Sequence, residues 1–364
     1  MPQTYHRLVH RDSRELAMLE SCSVDLVVTS PPYPMIEMWD ASFARLNPSI
    51  GEALHEQDGY HAFELMHSEL DRVWIELDRV LRDGGIACIN IGDATRTIGN
   101  RFRLYPNAAR ILTTFLELGF DVLPKILWRK STNSPNKFMG SGMLPVGAYV
   151  TLEHEYILIL RKGEKRAFST EAQKAMRHES SFFWEERNKW FSDIWDISGV
   201  PQKMNHQELR KRSGAFRFEI PYRLINMYSV KGDFVLDPFL GTGTTSVAAL
   251  ASSRNSVGVE IDEKLLAFAK SELIEAVDKA NRRISQRLAD HAQSVEDYEL
   301  RKGRPKYTNE VYGFPVIARQ ETRLSFNFVK ETACTDSDEV VATYFDDPRQ
   351  GYDLQFIQRE LFAR

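Results

Sequence analysis

Ser30-Pro31-Pro32-Tyr33 is the tetrapeptide of this 364-residue chain whose atoms are best arranged for chemistry. It follows Val24-Asp25-Leu26-Val27-Val28-Thr29, an apolar, β-branched run that reads as a buried parallel strand. The two prolines end that run at once. Proline cannot donate to a sheet ladder, and it pushes the residue before it into an extended conformation. A rigid peptide is thereby left at the carboxyl end of a strand, where open α/β sheets place ligands. It offers a hydroxyl on Ser30, a backbone carbonyl on Pro31 with no N–H on the same residue, and the ring of Tyr33. Two acceptors and a stacking face suit a planar base that carries an exocyclic amino group. Taken alone, strand-Pro-Pro-aromatic also describes an ordinary turn, and the remainder of the chain has to separate the two.

A second segment supplies the partner: Phe234-Val235-Leu236-Asp237-Pro238-Phe239-Leu240-Gly241-Thr242-Gly243-Thr244-Thr245. It reads as a strand running into a glycine loop and then into a helix that continues through Ser246–Ala251. Glycine lets the backbone turn tightly and approach a ligand closely. A further strand, Ser256-Val257-Gly258-Val259-Glu260-Ile261-Asp262, puts Glu260 17 residues after Gly243. That is near the spacing of roughly 20 residues at which a carboxylate accepts hydrogen bonds from ribose hydroxyls. A P-loop would need Gly-Lys-Ser/Thr, and no lysine stands here. A dinucleotide fingerprint would need a third glycine where Ser246 stands. The loop is therefore expected to hold a nucleoside without a pyrophosphate.

The two segments together resemble the beta class of amino-methylating DNA methyltransferases, which act on N4 of cytosine or N6 of adenine. Asp237-Pro238-Phe239-Leu240-Gly241-Thr242-Gly243 is similar to their S-adenosylmethionine loop, and Thr29-Ser30-Pro31-Pro32-Tyr33 to their catalytic motif. Catalytic motif first and cofactor loop second is the beta-class order, a circular permutation of the usual methyltransferase. His10-Arg11-Asp12-Ser13, then Leu81–Asp93, Glu153–Leu160 and Phe216–Ile225, resemble further family segments in the expected order, so the likeness spans residues 5–275.

This resemblance implies an α/β fold: a Rossmann-like S-adenosylmethionine-dependent methyltransferase sheet, circularly permuted, with an inserted target-recognition region and a C-terminal extension. It implies a base flipped out of double-stranded DNA, with Ser30 Oγ and the Pro31 carbonyl accepting the amine N–H bonds, Pro32 fixing the peptide and Tyr33 stacking on the base. Asp237, Pro238, Phe239, Gly241, Gly243, Thr244 and Thr245 would hold the methionine part of S-adenosylmethionine, and Glu260 its ribose. By the same resemblance, serine in the first motif position leans to N4 of cytosine; aspartate or asparagine there leans to N6 of adenine, which stays the alternative. Ring-carbon methylation of cytosine needs a thiolate, which in that family follows a proline; none of Cys22, Cys88 and Cys334 does. Rival functions are a methyltransferase acting on RNA or protein, and a non-catalytic DNA-binding module that keeps the fold. The inserted basic-aromatic region and the permuted order favour DNA over the first, and intact Ser30, Tyr33, Gly241, Gly243 and Glu260 argue against the second. A cognate restriction endonuclease is the expected functional partner, within a restriction-modification system, and a homodimer is left open.

These motifs need elements to position them. Strands are expected at Tyr5–His10, Asp25–Thr29, Gly85–Asn90, Phe120–Trp128 and Glu153–Arg161, with helices at Tyr60–Leu81 and Asn107–Leu118. In the first helix Phe63, Met66, Leu70, Val73, Trp74, Leu77 and Val80 recur at helical spacing, so that stripe is core. Residues 129–148 read as a polar loop that could order on DNA. One long helical pattern is expected from Asp262 to Gln293, then short strands and a final helix over 307–364. Four parts follow: 1–163, the catalytic half; 164–213, target recognition; 214–295, the cofactor half; and 296–364, an extension of open role.

Composition agrees with a globular chain: 43% hydrophobic, 27% charged, formal net charge −4. DNA binding needs only a basic face. Residues 161–217 hold thirteen Lys/Arg against eight Asp/Glu, interleaved with Phe182, Phe183, Trp184, Trp190, Phe191 and Trp195. That mixture suits phosphate and base contacts, or else a solvated face over an aromatic mini-core. No membrane span or signal peptide is evident, so a cytoplasmic, nucleoid-associated protein is expected. The three cysteines are too far apart to suggest a metal site or a disulfide.

Overall fold

The apolar run before the first motif becomes a central strand covered on both faces, and the rest of the sheet is built around it. The computed structural model describes residues 2–130, 144–147, 149–197, 217–335 and 339–350. In chain order the strands are β1 (Gln3–His10), β2 (Val24–Thr29), β3 (Leu81–Ile91), β4 (Ala94–Ile98), β5 (Arg101–Tyr105), β6 (Asp121–Arg129) and β7 (His154–Arg161). They continue as β8 (Ile194–Asp196), β9 (Phe234–Asp237), β10 (Asn255–Glu260), β11 (Tyr307–Thr308), β12 (Pro315–Val316), β13 (Val329–Cys334) and β14 (Glu339–Tyr344).

The main sheet has the order β13-β14-β1-β10-β9-β2-β3-β7-β6-β8. Strands β1, β10, β9, β2 and β3 run parallel. Strand β7 runs against both β3 and β6. The permutation is visible in this order. Strands β1 and β2 follow one another in sequence, yet β10 and β9 sit between them. The catalytic and cofactor portions therefore interleave in one sheet.

Helices cover both faces. Gly59–Val80 starts where the Asp58 side chain accepts the His61 N–H at 3.1 Å. Its whole expected stripe is buried, from Phe63 to Val80, in a core with β2, β3 and the helix Asn107–Glu117. Burial of each large apolar side chain there stabilises by about 1.5–3 kcal/mol. The opposite face is covered by Glu219–Tyr228, Thr244–Ala251 and Glu263–Ile274. A third cluster joins Phe183 to Ile284, Leu288, Phe314, Phe326 and Phe328.

Three expectations change. The long helix after Asp262 is two, Glu263–Ile274 and Val277–Lys302. No Gly or Pro breaks it; the carbonyl of Ile274 instead accepts the Thr332 hydroxyl at 2.6 Å from β13. The second helix also runs across the boundary drawn at 295/296, and β14 pairs with β1, so the described C-terminal residues complete the sheet. Finally, Phe183, Trp190 and Trp195 are buried and cannot meet bases; of that aromatic group, Trp184 and Phe191 stay exposed. The mini-core alternative therefore holds for the first three. Residues 131–143, 198–213 and the final helix expected beyond 350 lie outside the described residues.

Candidate active site

Parallel strands all present their carboxyl ends on one side, so β2, β9 and β10 deliver Ser30, Pro238 and Ile261 to the same edge of the sheet. One buried carboxylate pins the two motifs together. Asp237 accepts the Thr29 hydroxyl and the Thr245 hydroxyl, each at 2.6 Å, and the Phe239 N–H at 3.1 Å. Burial pushes its pKa up to about 6, against those three donors. The motif's resemblance assigns Asp237 and Thr245 to the methionine group; in the fold their mutual bond and that of Asp237 to Thr29 hold the strand ends in register.

The remaining loop residues divide by what they leave free. The Pro238 carbonyl accepts the Ser13 hydroxyl, and the Phe239 ring packs toward Trp74. Gly243 has φ +82 and caps the helix Thr244–Ala251. A Cβ there would lie 2.9 Å from that of Ala269, so glycine permits close packing of loop on helix. Gly241 has φ +54, and a Cβ there would meet nothing closer than 3.9 Å. It borders open space that a side chain would fill, which is the cradle a nucleoside needs. Glu260 faces it: its carboxylate accepts the Gly241 N–H at 2.8 Å and the Asp262 N–H at 2.9 Å. Burial raises its pKa. The Ile261 N–H also bonds to it; a carboxylate has about four acceptor sites, so one remains for a ribose hydroxyl. Thr244 is the first residue of its helix, with its hydroxyl 3.3 Å from that of Thr242. The cradle and the carboxylate together fit S-adenosylmethionine.

The Ser30–Tyr33 peptide is held from its far side by residues that no motif singles out. Tyr33 donates its hydroxyl to Glu155 Oε2 at 2.9 Å. Asn90 Nδ2 lies 2.8 Å from the Tyr33 oxygen, 2.7 Å from Glu155 Oε2 and 3.4 Å from Ser30 Oγ. Lys130 pairs with the other Glu155 oxygen. Burial, and then the Glu155 charge, raise the Tyr33 pKa well above its ordinary value, so the phenol keeps its proton. With that proton committed to Glu155, the 3.2 Å contact between Ser30 and Tyr33 runs from the serine hydroxyl to the phenol oxygen. Ser30 Oγ accepts only the long 3.4 Å contact from Asn90, which leaves it one lone pair for a further donor. Gly92 makes room for the ring, since a Cβ there would lie 3.1 Å from Tyr33 Cε2. Met35, buried with φ +66, turns the chain sharply after the motif. Glu155 and Asn90 stand within segments quoted for their likeness; nothing in their types marked them, because their partners are distant in sequence.

Cys88 is buried in β3, and burial raises its pKa, so it is no nucleophile. Among the described residues one group could offer metal ligands within 4.8 Å of one another: Glu185, His291 and Glu321. Both Glu321 oxygens accept backbone N–H groups, from Trp184 and Ala318. His291 is engaged by Glu185 and the Pro315 carbonyl. That group is a polar tie between the 184–190 helix and the C-terminal residues. No described helix is long and apolar enough to cross a membrane.

Comparison with known proteins fits this geometry. The family described as DNA methylase, of the N6 and N4 type, matches residues 24–271. The type II methyltransferase M.MthZI of Methanothermobacter thermautotrophicus is 52% identical over 88% of this chain and 89% of its own. M.MjaI of Methanocaldococcus jannaschii, also a type II methyltransferase, is 50% identical over 72% of this chain and 89% of its own. A Thermus thermophilus protein named as a DNA modification methylase has been solved with S-adenosyl-L-methionine. It superposes with a TM-score of 0.58 at 34% identity, covering 75% of this chain and 96% of that one.

Proposed function

This chain belongs to the DNA methylase family and is a beta-class, S-adenosylmethionine-dependent DNA amino-methyltransferase, and on that premise we propose that its target is N4 of a cytosine flipped out of duplex DNA. The observation that carries the proposal is Ser30. It stands in the first motif position with its proton directed to Tyr33 and, beside a long contact from Asn90, one lone pair open to a donor.

Bound S-adenosylmethionine supplies a methyl group already activated by its sulfonium. The chain's own task is to make a poor nucleophile react. The exocyclic amine is unreactive because its lone pair conjugates with the ring. Ser30 Oγ and the Pro31 carbonyl accept its two N–H bonds and pull the nitrogen toward a tetrahedral shape. That frees the lone pair in the direction of the cofactor loop. Pro32 keeps both acceptors aimed alike, and Tyr33 covers the flipped base. Glu155 and Asn90 orient Tyr33 and, through it, the Ser30 hydroxyl. Glu260 and the Gly241 cradle hold the cofactor, and Asp237 keeps the two strand ends in step. Positioning of this kind lowers a barrier by several kcal/mol, up to about 7–11 in ideal cases. The biological setting we infer is a restriction-modification system, with a cognate endonuclease as functional partner.

The test is nucleoside analysis of DNA from a methylation-free host that expresses the protein, with chromatography that separates N4-methylcytosine from the equal-mass 5-methylcytosine. N4-methylcytosine is expected. N6-methyladenine would replace the target while keeping the mechanism, and an active, cofactor-binding protein that leaves DNA unmodified would point to another substrate.

A further inference from the structure

A two-stranded hairpin, β4–β5, rises from the carboxyl end of β3, where Asn90 meets Tyr33. Residues 94–105 contain Arg96, Arg101 and Arg103 and no acidic residue, within a chain of net charge −4. The hairpin is rooted in the catalytic pocket on both sides. At its base, Asn107 Nδ2 donates to the Pro34 carbonyl at 3.1 Å, one residue past the motif, and to the Gly92 carbonyl at 3.0 Å. On its flank, Arg96 makes a bidentate pair with Asp40, at 2.8 and 2.6 Å. On its other face, Phe102 lies 4.4 Å from the Tyr149 ring, in the stretch leading to β7 and Glu155. Its two-residue turn, Gly99-Asn100, rests against Gln57.

Arg96 is thus spent on Asp40, and two cations are left over. Arg101 is exposed and Arg103 half-buried, and neither makes an ion pair among the described residues. A pair of arginines on a fixed ribbon beside the pocket that takes a base can each take a phosphate oxygen without breaking an existing pair. The anion that must be present whenever the pocket is filled is the backbone of the strand from which the base came. We propose that the β4–β5 hairpin is a DNA-backbone clamp, in which Arg101 and Arg103 contact phosphates flanking the flipped nucleotide. The clamp lies outside the 164–213 segment and carries register, not sequence, since phosphate contacts position while base contacts specify. The proposal rests on duplex DNA being the substrate.

The experiment measures duplex-DNA affinity against salt for the full-length wild type, Arg101→Ala/Arg103→Ala and Arg101→Glu. Each lost phosphate contact reduces the log–log salt slope by about 0.9. The double variant is therefore expected to lose nearly 2 from the slope, so that its deficit relative to wild type is about tenfold larger at 50 mM than at 200 mM salt. Its S-adenosylmethionine affinity and melting temperature should stay unchanged, a combination that a merely structural role would not give. Arg101 is exposed, so Arg101→Glu keeps the question open to measurement even if the double variant folds poorly. Wild-type slopes in a folded Arg101→Glu protein would overturn the clamp. Absence of salt-dependent duplex binding by the wild type would instead sink the substrate reading, and the clamp with it.

Discussion

At the scale of single residues, the site works by deciding which atoms are free. Ser30 keeps a lone pair to offer because its own hydroxyl donates to Tyr33, and it donates there because the phenol donates to Glu155. The sequence made Ser30, Pro31 and Tyr33 legible, since a hydroxyl, a donorless peptide and a ring after a buried strand are unusual in series. It could not show Glu155 or Asn90 in their roles, because a carboxylate 122 residues from Tyr33 carries no local signal. The cofactor side divides in the same way. Gly241 and Glu260 face open space, whereas Asp237 and Thr245, equally prominent in the motif, are turned inward. Substitutions should separate these classes. Ser30→Ala is expected to lower turnover by about 10²–10³-fold, by analogy with loss of one preorganised polar contact at a reacting centre. Its dissociation constant for S-adenosylmethionine should hardly move. Glu260→Ala should show the reverse, weakening the cofactor about 10–100-fold through loss of a charged acceptor. Isothermal titration beside single-turnover kinetics would check both, and a Ser30→Ala enzyme at full speed would contradict the assignment.

At the scale of elements, periodicity located what lies within one helix or strand and missed what a neighbour imposes. The stripe of Gly59–Val80 was readable because every third or fourth residue faces the sheet. The β4–β5 hairpin has a local signal that periodicity does not reach: Gly99-Asn100 between two short runs of alternating character is a two-residue hairpin turn. The break at Glu275 had none; there the Ile274 carbonyl accepts the Thr332 hydroxyl of β13. The aromatic-basic segment shows most clearly why composition misleads. Arg287 makes a bidentate pair with Glu186, at 2.5 and 2.7 Å, with both side chains nearly buried, and lies over the Trp190 ring. A ring that looked ready for DNA, and an acid of the same segment, thus hold two elements together inside. Arg287→Met should destabilise by about 3–5 kcal/mol because it strands the Glu186 charge, and adding Glu186→Gln should recover part of that. Urea unfolding of the single and double variants would show it; equal losses in both would mean that packing, not charge, is what Arg287 provides.

At the scale of the whole molecule, the permuted chain has to close a sheet from strands far apart in sequence, and Asp237 sits at the seam. Thr29 reaches it across β2 and β9, and Thr245 from the helix that follows the loop. Its pKa, raised to about 6 in the fold, has a definite consequence for stability. An acid whose pKa is raised on folding binds its proton more tightly in the native state. Its contribution is therefore present below the unfolded value and falls as pH rises from about 4 to 6, by at most about 3 kcal/mol. Asp237→Asn should remove that slope, so the variant gains on wild type between pH 4 and 7 in thermal unfolding. A parallel pH dependence of the two proteins would take Asp237 out of the titration. The sequence by itself determined the family, its cofactor, the order of the motifs and the main strands. Those properties live in residue type and short spacing, where backbone sterics, proline and glycine act directly. Only the tertiary structure decided which motif residues face a ligand and which face one another, and which cations remain unpaired. Those depend on contacts between residues of different elements, and burial there turns a neighbour's charge or hydroxyl into the deciding influence.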